Sequence, residues 1–249
     1  MQLEGKRLAD EKVYLREDWR GKEPKLIFKM IGERIEGEGV SKQSRLCDVG
    51  CATGEMLNYL MERFPGLEIN GIDISNALLN AARARNPGGN FKQGSVLNSS
   101  DFSEREFDIV VATGLLSIVD DPSLFLNNLL SITREKGIIL ISSSFNSDPI
   151  DTITRYRRVN DTVGDWETGW NIWSTATINR HLSSVDYDLY WDWTPWDPPY
   201  PTQKSEDIMR TWTIKTEEKE RQKINGASLL LNAQLLAINV KSVTRPESR

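Results

Sequence analysis

A glycine-containing segment near residue 50 has the residue types and spacing of a ligand-binding loop. It reads Asp48-Val49-Gly50-Cys51-Ala52-Thr53-Gly54, and its glycines allow a tight turn and close approach of a ligand to the backbone. A dinucleotide site would need Gly-x-Gly-x-x-Gly and would hold a pyrophosphate. Here the spacing is Gly-x-x-x-Gly, and the carboxylate of Asp48 is a poor neighbour for a pyrophosphate. We therefore expect a cationic ligand without phosphate.

A second carboxylate, Asp73, lies 19 residues after Gly54, at the end of the next apolar run. A carboxylate at this position can accept hydrogen bonds from both hydroxyls of a ribose. Two acids and a glycine loop together favour a cationic adenosine compound. S-adenosylmethionine is such a ligand, because it carries a sulfonium, an ammonium and an adenosine.

Alternating strand and helix patterns surround these residues and must position them. Short apolar runs predict strands, and apolar residues at three- and four-residue steps predict helices. Strands are predicted at 45–49, 67–72, 90–96, 107–112 and 137–142, with helices from about Glu23, at 55–64, after Ser75 and from Asp121-Pro122. This order indicates an α/β fold, a mostly parallel sheet with helices on both faces.

The motif Asp48-x-Gly-x-x-x-Gly followed by Asp73 resembles the class I S-adenosylmethionine-dependent methyltransferases. The resemblance covers residues 40–145 well, and it implies a Rossmann-like sheet of seven strands, the last one antiparallel. Segments 174–193 and 234–242 look like the family's last helix and closing strands. We expect a single domain over residues 1–249, with its cofactor-binding core at 40–145.

The resemblance also implies which residues contact S-adenosylmethionine. Gly94-Ser95-Val96 looks like the family's adenine-contact turn, although the family usually has an acid where Ser95 stands. Tyr14 and Trp19 lie where relatives often have a segment that folds over the cofactor, and Ser117 stands where relatives often carry a histidine. The expected cofactor-binding residues are Asp48, Gly50, Cys51, Ala52, Gly54, Asp73, Ile74, Ser95, Val96, Thr113, Gly114, Leu115, Tyr14 and Trp19.

The composition changes after residue 144, which indicates added segments on the acceptor side. Seven of the eight tryptophans lie between 166 and 212, so we expect a Trp-rich lid inserted in the C-terminal half, made by residues 145–173 and 194–233. Arginine can clamp an anionic group, and aromatic rings can stack on a sugar. The expected acceptor-binding residues are Tyr156, Arg157, Trp170 and Asn171.

The stretch 210–226 is similar to the C-terminal hairpin of bacterial methyltransferases encoded among glycan-assembly genes. Residues 212–215 and 221–224 are expected to pair, and residues 185–193 and 234–240 read as strands. This resemblance implies O-methylation of a sugar or nucleotide sugar. The expected partner is therefore a small-molecule or glycan acceptor.

Few residues could serve as a general base or a metal ligand. His181 is the single histidine and lies on a helix predicted at 174–182, where an ordinary surface role is expected. Cys47 and Cys51 are expected to be buried. Asp121 is expected to cap a helix rather than to act with Asp120 as an acid–base pair. No catalytic residue is assigned and no metal is expected.

Composition limits the remaining function classes. The chain has 249 residues and a net charge of −5, so its balance favours neither nucleic acid nor an anionic membrane surface. The first residues lack the apolar stretch of a signal peptide, and no apolar run has membrane-spanning length. We expect a cytoplasmic protein without membrane insertion.

Two alternatives stay open at this stage. One is a nucleotide-binding oxidoreductase or sugar-modifying enzyme on a Rossmann sheet, which the missing third glycine and Asp48 disfavour. The other is a non-catalytic module that binds S-adenosylmethionine, which Ser95 and the lack of an evident base favour.

Overall fold

The computed structural model describes residues 8–16, 23–39, 43–157, 159, 166–204 and 211–224. The helices are α1 (Leu8–Tyr14), α2 (Leu26–Gly37), α3 (Glu55–Arg63), α4 (Asn76–Arg85), α5 (Pro122–Ile132) and α6 (Thr175–Leu182). The main strands are β1 (Arg45–Val49), β2 (Glu68–Asp73), β3 (Asn90–Gln93), β4 (Phe107–Thr113) and β5 (Thr133–Ser142). Short strands follow: β6 (Phe145–Asn146), β7 (Arg155–Tyr156), β8 (Glu167–Thr168), β9 (Trp173–Ser174), β10 (Trp212–Ile214) and β11 (Gln222–Ile224).

The central sheet has five strands in the order β3-β2-β1-β4-β5, and every neighbouring pair is parallel. The chain builds outward from β1 to β3 and then returns to the other side of β1 with β4. A ligand crevice forms at the carboxyl ends of the strands where the order reverses. The loops after β1 and β4 therefore meet at one edge, and the predicted Rossmann-like α/β sheet is confirmed.

Successive side chains of a strand point to opposite faces of the sheet, and helices cover both faces. On one face Ile109 and Val111 of β4 pack with α2 and α3. On the other face Val110 and Ala112 pack with α5 and α6. This explains the uninterrupted apolar run of β4, which is typical of a parallel strand covered on both sides.

Two helices begin at the capping residues that the sequence predicts. The Ser75 hydroxyl accepts a hydrogen bond from the Leu78 N–H at 3.3 Å. The Asp121 carboxylate accepts one from the Leu124 N–H at 2.9 Å, and Pro122 occupies the first turn of α5. Both caps satisfy amide groups that a helix start otherwise leaves unpaired.

The prediction of a strand at 185–193 is wrong. This segment contains bends and irregular backbone, although its side chains alternate. Trp191 and Trp193 both donate their indole N–H to the Asn179 side chain, so the alternation serves contacts with α6 rather than a strand ladder. The closing strand predicted at 234–242 lies outside the described residues, and a seven-stranded sheet stays a prediction.

The hairpin predicted in the 210–226 stretch is confirmed, because β10 and β11 pair antiparallel with Trp212 opposite Ile224. The tryptophans of the C-terminal half have different environments. Trp173 and Trp212 are buried, whereas Trp166 and Trp193 are 48% and 41% exposed. A lid built from these residues stays a prediction.

Among the helices in the described ranges, none is both long and apolar enough to cross a membrane.

Candidate functional site

The loop after β1 is a tight turn that is held between two neighbouring segments. Gly50 has a φ of +79° and its N–H donates to the Ile72 carbonyl at 2.7 Å. The Cys51 N–H donates to the same oxygen at 3.0 Å. A Cβ at Gly50 would lie 3.1 Å from a Leu115 methyl group. Glycine is therefore needed here both for the left-handed backbone and for the close approach of the loop after β4.

Gly54 serves helix packing at the start of α3. It has a φ of +69°, and a Cβ there would lie 2.6 Å from Nδ2 of Asn86. That same nitrogen donates to the Gly54 carbonyl at 3.0 Å, while Arg85 donates to the Thr53 carbonyl and hydroxyl, both at 3.1 Å. The end of α4 thus fastens the end of the glycine loop. A contact between Gly54 and a cofactor stays a prediction.

Asp48 is the second-last residue of β1 and is 3% exposed. Its Oδ1 has no hydrogen-bond partner among the described residues. Burial, with a smaller contribution from the negative charge of Asp73, raises the pKa of Asp48 to about 8. A buried polar atom without a partner is unfavourable unless a ligand supplies one. In its ionised form the carboxylate would attract an ammonium group and repel a phosphate.

The carboxylate of Asp73 is oriented by two backbone amides. Its Oδ2 accepts from the Ala52 N–H and its Oδ1 from the Ser75 N–H, each at 2.9 Å. Burial raises the pKa of Asp73, and these backbone hydrogen bonds act in the opposite direction. Each carboxylate oxygen can accept a further hydrogen bond. The group can therefore receive two hydroxyls of a ribose while it stays linked to the glycine loop.

Helix α1 lies beside these carboxylates. The Ser75 hydroxyl donates to Oε2 of Glu11 at 2.7 Å, and the charge of Glu11 contributes to the raised pKa of Asp73. Tyr14 lines the same cavity as Asp48 and the glycine loop. The N-terminal segment is thus placed beside the candidate cofactor site. Trp19 lies outside the described residues.

One continuous cavity contains part of the predicted site at the loops after β1 and β4, and it extends along β5 as far as Thr133. Gly114 has a φ of +72°, and a Cβ there would meet no atom within 4 Å among the described residues, so the backbone faces open space. The predicted residues that line the cavity are Asp48, Gly50, Cys51, Ala52, Thr113, Gly114, Tyr14, Trp170 and Asn171. The residues that lie outside this lining are Gly54, Asp73, Ile74, Ser95, Val96, Leu115, Tyr156 and Arg157.

The turn after β3 differs from its expected form. Strand β3 ends at Gln93, and the Ser95 N–H then donates to Oδ2 of Asp101 at 2.8 Å. A carboxylate therefore lies against this turn even though residue 95 is a serine. Val96 is buried, and its carbonyl accepts from Nδ2 of Asn128 at 2.7 Å. The roles of Ser95 and Val96 toward adenine stay predictions.

Asn171 connects the acceptor-side segment to the loop after β4. It is 1% exposed, and its N–H donates to the Ser117 carbonyl at 2.6 Å. Its Nδ2 donates to the Val119 carbonyl at 2.9 Å and to Asp120 at 3.1 Å, while its Oδ1 accepts from the Thr154 N–H at 2.9 Å. Both amide hydrogens are thus used within the protein. Substrate binding by Asn171 stays a prediction, and the contacts give it a structural role.

The two other acceptor-side candidates near residue 156 pair locally. The Tyr156 hydroxyl donates to Glu167 at 3.3 Å, and the Arg157 guanidinium lies 5.0 Å from the centre of the exposed Trp166 ring. Arg155 forms an ion pair with Asp120. These groups stabilise the fold of the inserted segment, and their contact with an acceptor stays a prediction.

The other titratable groups named from the sequence lie apart from the glycine loop or are buried. Nε2 of His181 lies 2.9 Å from Oδ1 of Asn127, between α6 and α5. Cys47 and Cys51 are buried as predicted, and burial raises the pKa of both thiols. Residues lining the cavity that sequence reasoning missed include Lys223, whose ammonium lies 3.9 Å from the centre of the Trp196 ring. No local pattern around Lys223 could have indicated this contact.

Comparison with known proteins shows which family the chain belongs to. Residues 15–192 match a family described as "Methyltransferase domain". The chain belongs to this methyltransferase family. The resemblance to class I S-adenosylmethionine-dependent methyltransferases is thereby confirmed, and S-adenosylmethionine is the cofactor of that class. The alternative of a nucleotide-binding oxidoreductase is set aside, while the glycan-assembly branch stays a prediction.

Similar curated proteins come from several bacteria. The chain is 30% identical over 125 residues to malonyl-[acyl-carrier protein] O-methyltransferase 1 of Ilyobacter polytropus, covering 48% of this chain and 46% of that protein. It is 29% identical over 177 residues to trans-aconitate 2-methyltransferase of Paracidovorax citrulli, covering 69% and 62%. The chain thus spans about half of the length of the first relative and somewhat more of the second.

Solved structures are also similar over part of the chain. A TehB-like SAM-dependent methyltransferase from Corynebacterium glutamicum is 23% identical and has a TM-score of 0.43, covering 53% of this chain and 72% of that one.

Proposed function

We propose that this chain is an S-adenosylmethionine-dependent methyltransferase that methylates a hydroxyl of a small molecule, a sugar or a nucleotide sugar. The observation that carries the proposal is the buried Asp48 carboxylate, which has an oxygen without a partner among the described residues. It lies near the end of β1, two residues before a left-handed glycine turn, and Asp73 lies near enough to raise its pKa. This combination suits a cationic adenosine compound.

Different residues of the site would contact different parts of the cofactor. Asp48 would hold the ammonium, and Asp73 would accept the ribose hydroxyls. The backbone of Gly50 and Ala52 would line the ligand, and the turn at Ser95 and Val96 would receive the adenine. The bound cofactor supplies an electrophilic methyl group at its sulfonium. Gly114 and Trp170 line the same cavity, so the acceptor would be held there, close to the methyl group and shielded from water.

Ion pairs hold several basic side chains of the cavity, which supports a neutral acceptor, and Lys223 of the same lining contacts the Trp196 ring. Three of the cavity's basic side chains already pair with carboxylates: Lys25 with Glu55 at 2.6 Å, Arg34 with Asp192 at 2.8 Å, and Lys219 with Asp197 at 3.1 Å. A carboxylate or phosphate acceptor would have to compete with these partners. The names of the relatives point to carboxylic acids, malonyl and trans-aconitate, which are the second candidate class for this chain.

The domain organisation is part of the same proposal. Residues 40–145 would bind the cofactor, and residues 145–173 and 194–233 would shape the acceptor site within one domain spanning 1–249. The pairing of Asn171 with the loop after β4 supports this division. It fastens an acceptor-side segment directly to the cofactor-binding core.

Calorimetry and a transfer assay test the proposal. S-adenosylhomocysteine should bind the full chain and NAD should not, and Asp48→Asn should weaken the binding of S-adenosylhomocysteine. Methyl transfer is then measured with sugars, nucleotide sugars and trans-aconitate as acceptors. Binding without transfer to any acceptor would favour a non-catalytic module. Binding of NAD in preference to S-adenosylhomocysteine would refute the proposed cofactor.

A further inference from the structure

Two tryptophan rings are aligned by one amide oxygen in the segment after α6. The indole N–H groups of Trp191 and Trp193 both donate to Oδ1 of Asn179, at 2.9 and 3.1 Å. Because both indole nitrogens lie within 3.1 Å of one oxygen, the two rings lie next to each other beside α6. Their only polar atoms are turned toward the protein. Their apolar faces are therefore available for contact.

The segment that carries these rings is fixed from both sides. Between them, Asp192 accepts two hydrogen bonds from the Arg34 guanidinium of α2, at 3.1 and 2.8 Å. The Phe145 ring meets the Trp193 ring edge to face, with 4.8 Å between the ring centres. Such bidentate and aromatic contacts orient side chains. The two indoles are held in place before any ligand arrives.

The rings are partly exposed and line the cavity that contains part of the candidate cofactor site. Trp191 is 36% exposed and Trp193 is 41% exposed, and both line the same cavity as Asp48 and Gly114. Large aromatic rings left exposed side by side in a concave site are typical of ligand contact. Phe145, which contacts the Trp193 ring, follows the carboxyl end of β5, so Trp193 lies near the edge of the sheet that carries the candidate site.

The surrounding charges define the ligand. Asp186 and Asp188, which shortly precede the rings in the chain, line the cavity, as does Lys223, and carboxylates accept hydrogen bonds from hydroxyls but repel anions. A neutral pyranose has an apolar C–H face for the indoles and hydroxyls for the carboxylates. We propose that Trp191 and Trp193, aligned by Asn179, form a subsite for a neutral pyranose ring of the acceptor; this rests on the proposed function of the cavity.

Fluorine NMR on the full chain tests the subsite directly. The protein is labelled with 5-fluorotryptophan and saturated with S-adenosylhomocysteine, and the Trp191 and Trp193 signals are assigned with Trp191→Phe and Trp193→Phe. The methyl pyranosides of glucose, galactose and mannose are the probes. At least one should shift both signals in a saturable way. Trp166, which is 48% exposed and does not line the cavity, is the matched control and should not shift.

The anionic probe trans-aconitate separates the two acceptor classes. It should leave both signals unmoved. Signals unmoved by every pyranoside, a shift by trans-aconitate equal to that by the pyranosides, or an equal shift of Trp166 would each overturn the proposal.

Variants of Asn179 test its role as a positioning residue. Asn179→Leu removes the shared acceptor and should weaken pyranoside binding about tenfold at both rings, as expected for lost aromatic stacking. Asn179→Asp keeps an oxygen at this position and should retain binding within about threefold. Unchanged pyranoside affinity in Asn179→Leu would refute the role of Asn179. As a control, calorimetry should show that both variants bind S-adenosylhomocysteine with wild-type affinity. If the wild type itself does not bind S-adenosylhomocysteine, the proposed function is refuted, and the pyranoside result still decides the subsite.

Discussion

Replacing Asp48 with Asn should change how the stability of the free protein depends on pH. The pKa of this carboxyl is about 8 in the folded chain, because burial disfavours its charge, compared with about 3.9 for an ordinary Asp. Between these values the folded state binds a proton that the unfolded state has lost. Stability therefore falls as pH rises through this window, by at most about 1.4 kcal/mol per pH unit.

The variant removes this titration and keeps a side chain of the same shape. The free energy of unfolding of Asp48→Asn should thus increase relative to wild type by about 3 kcal/mol between pH 5 and pH 7. Urea denaturation at pH 5, 6 and 7 without ligand measures the difference. The charge of Asp48 also acts on Asp73, Cys47 and Cys51. Burial raises the pKa of both thiols, so they stay protonated from pH 5 to pH 7.

Val49→Ala is the matched control, because Val49 is 1% exposed in the same strand and does not titrate. Val49→Ala should lower the free energy of unfolding by the same amount at pH 5, 6 and 7. A difference between Asp48→Asn and wild type that stays constant from pH 5 to pH 7 would refute the reasoning about the buried carboxyl. The same titration predicts that S-adenosylhomocysteine binds wild type more tightly at pH 8 than at pH 6, because its ammonium needs the ionised form of Asp48.

Three further changes test the site. Asp73→Ala should weaken S-adenosylhomocysteine about tenfold or more, because two charge-assisted hydrogen bonds are lost; unchanged affinity in calorimetry would count against the ribose assignment. Gly54→Ala should lower the free energy of unfolding by about 2 to 4 kcal/mol, and Gly114→Ala by about 1 kcal/mol. Both glycines have a positive φ, but of the two only a Cβ at Gly54 would meet a neighbour, 2.6 Å away. Equal losses in urea denaturation would contradict this. Asn171→Ala should lower the free energy of unfolding by about 2 to 3 kcal/mol, because it leaves buried groups unpaired. Asn80→Ala, at an exposed position, should change it by no more than about 0.5 kcal/mol. Similar values for both would show that the Asn171 contacts contribute little.

Local patterns predicted the parts of the fold that depend on neighbouring residues. The alternation of strands and helices, the caps at Ser75 and Asp121 and the glycine turn are all encoded within a few positions of the chain. The strand expected at 185–193 shows the limit of this reasoning. Its alternating aromatic residues satisfy the strand pattern, yet their hydrogen bonds run to Asn179 in a helix, and periodicity cannot distinguish between the two partners.

The site itself divides in the same way. The type and spacing of Asp48, Gly50 and Asp73 indicated a cationic adenosine ligand and the methyltransferase family from the sequence alone. Only the tertiary structure showed that an oxygen of Asp48 has no partner among the described residues and that Asn171 connects its segment to the loop after β4. Those facts depend on burial and on hydrogen bonds between residues far apart in the chain, which become defined only when the sheet and the inserted segments pack together.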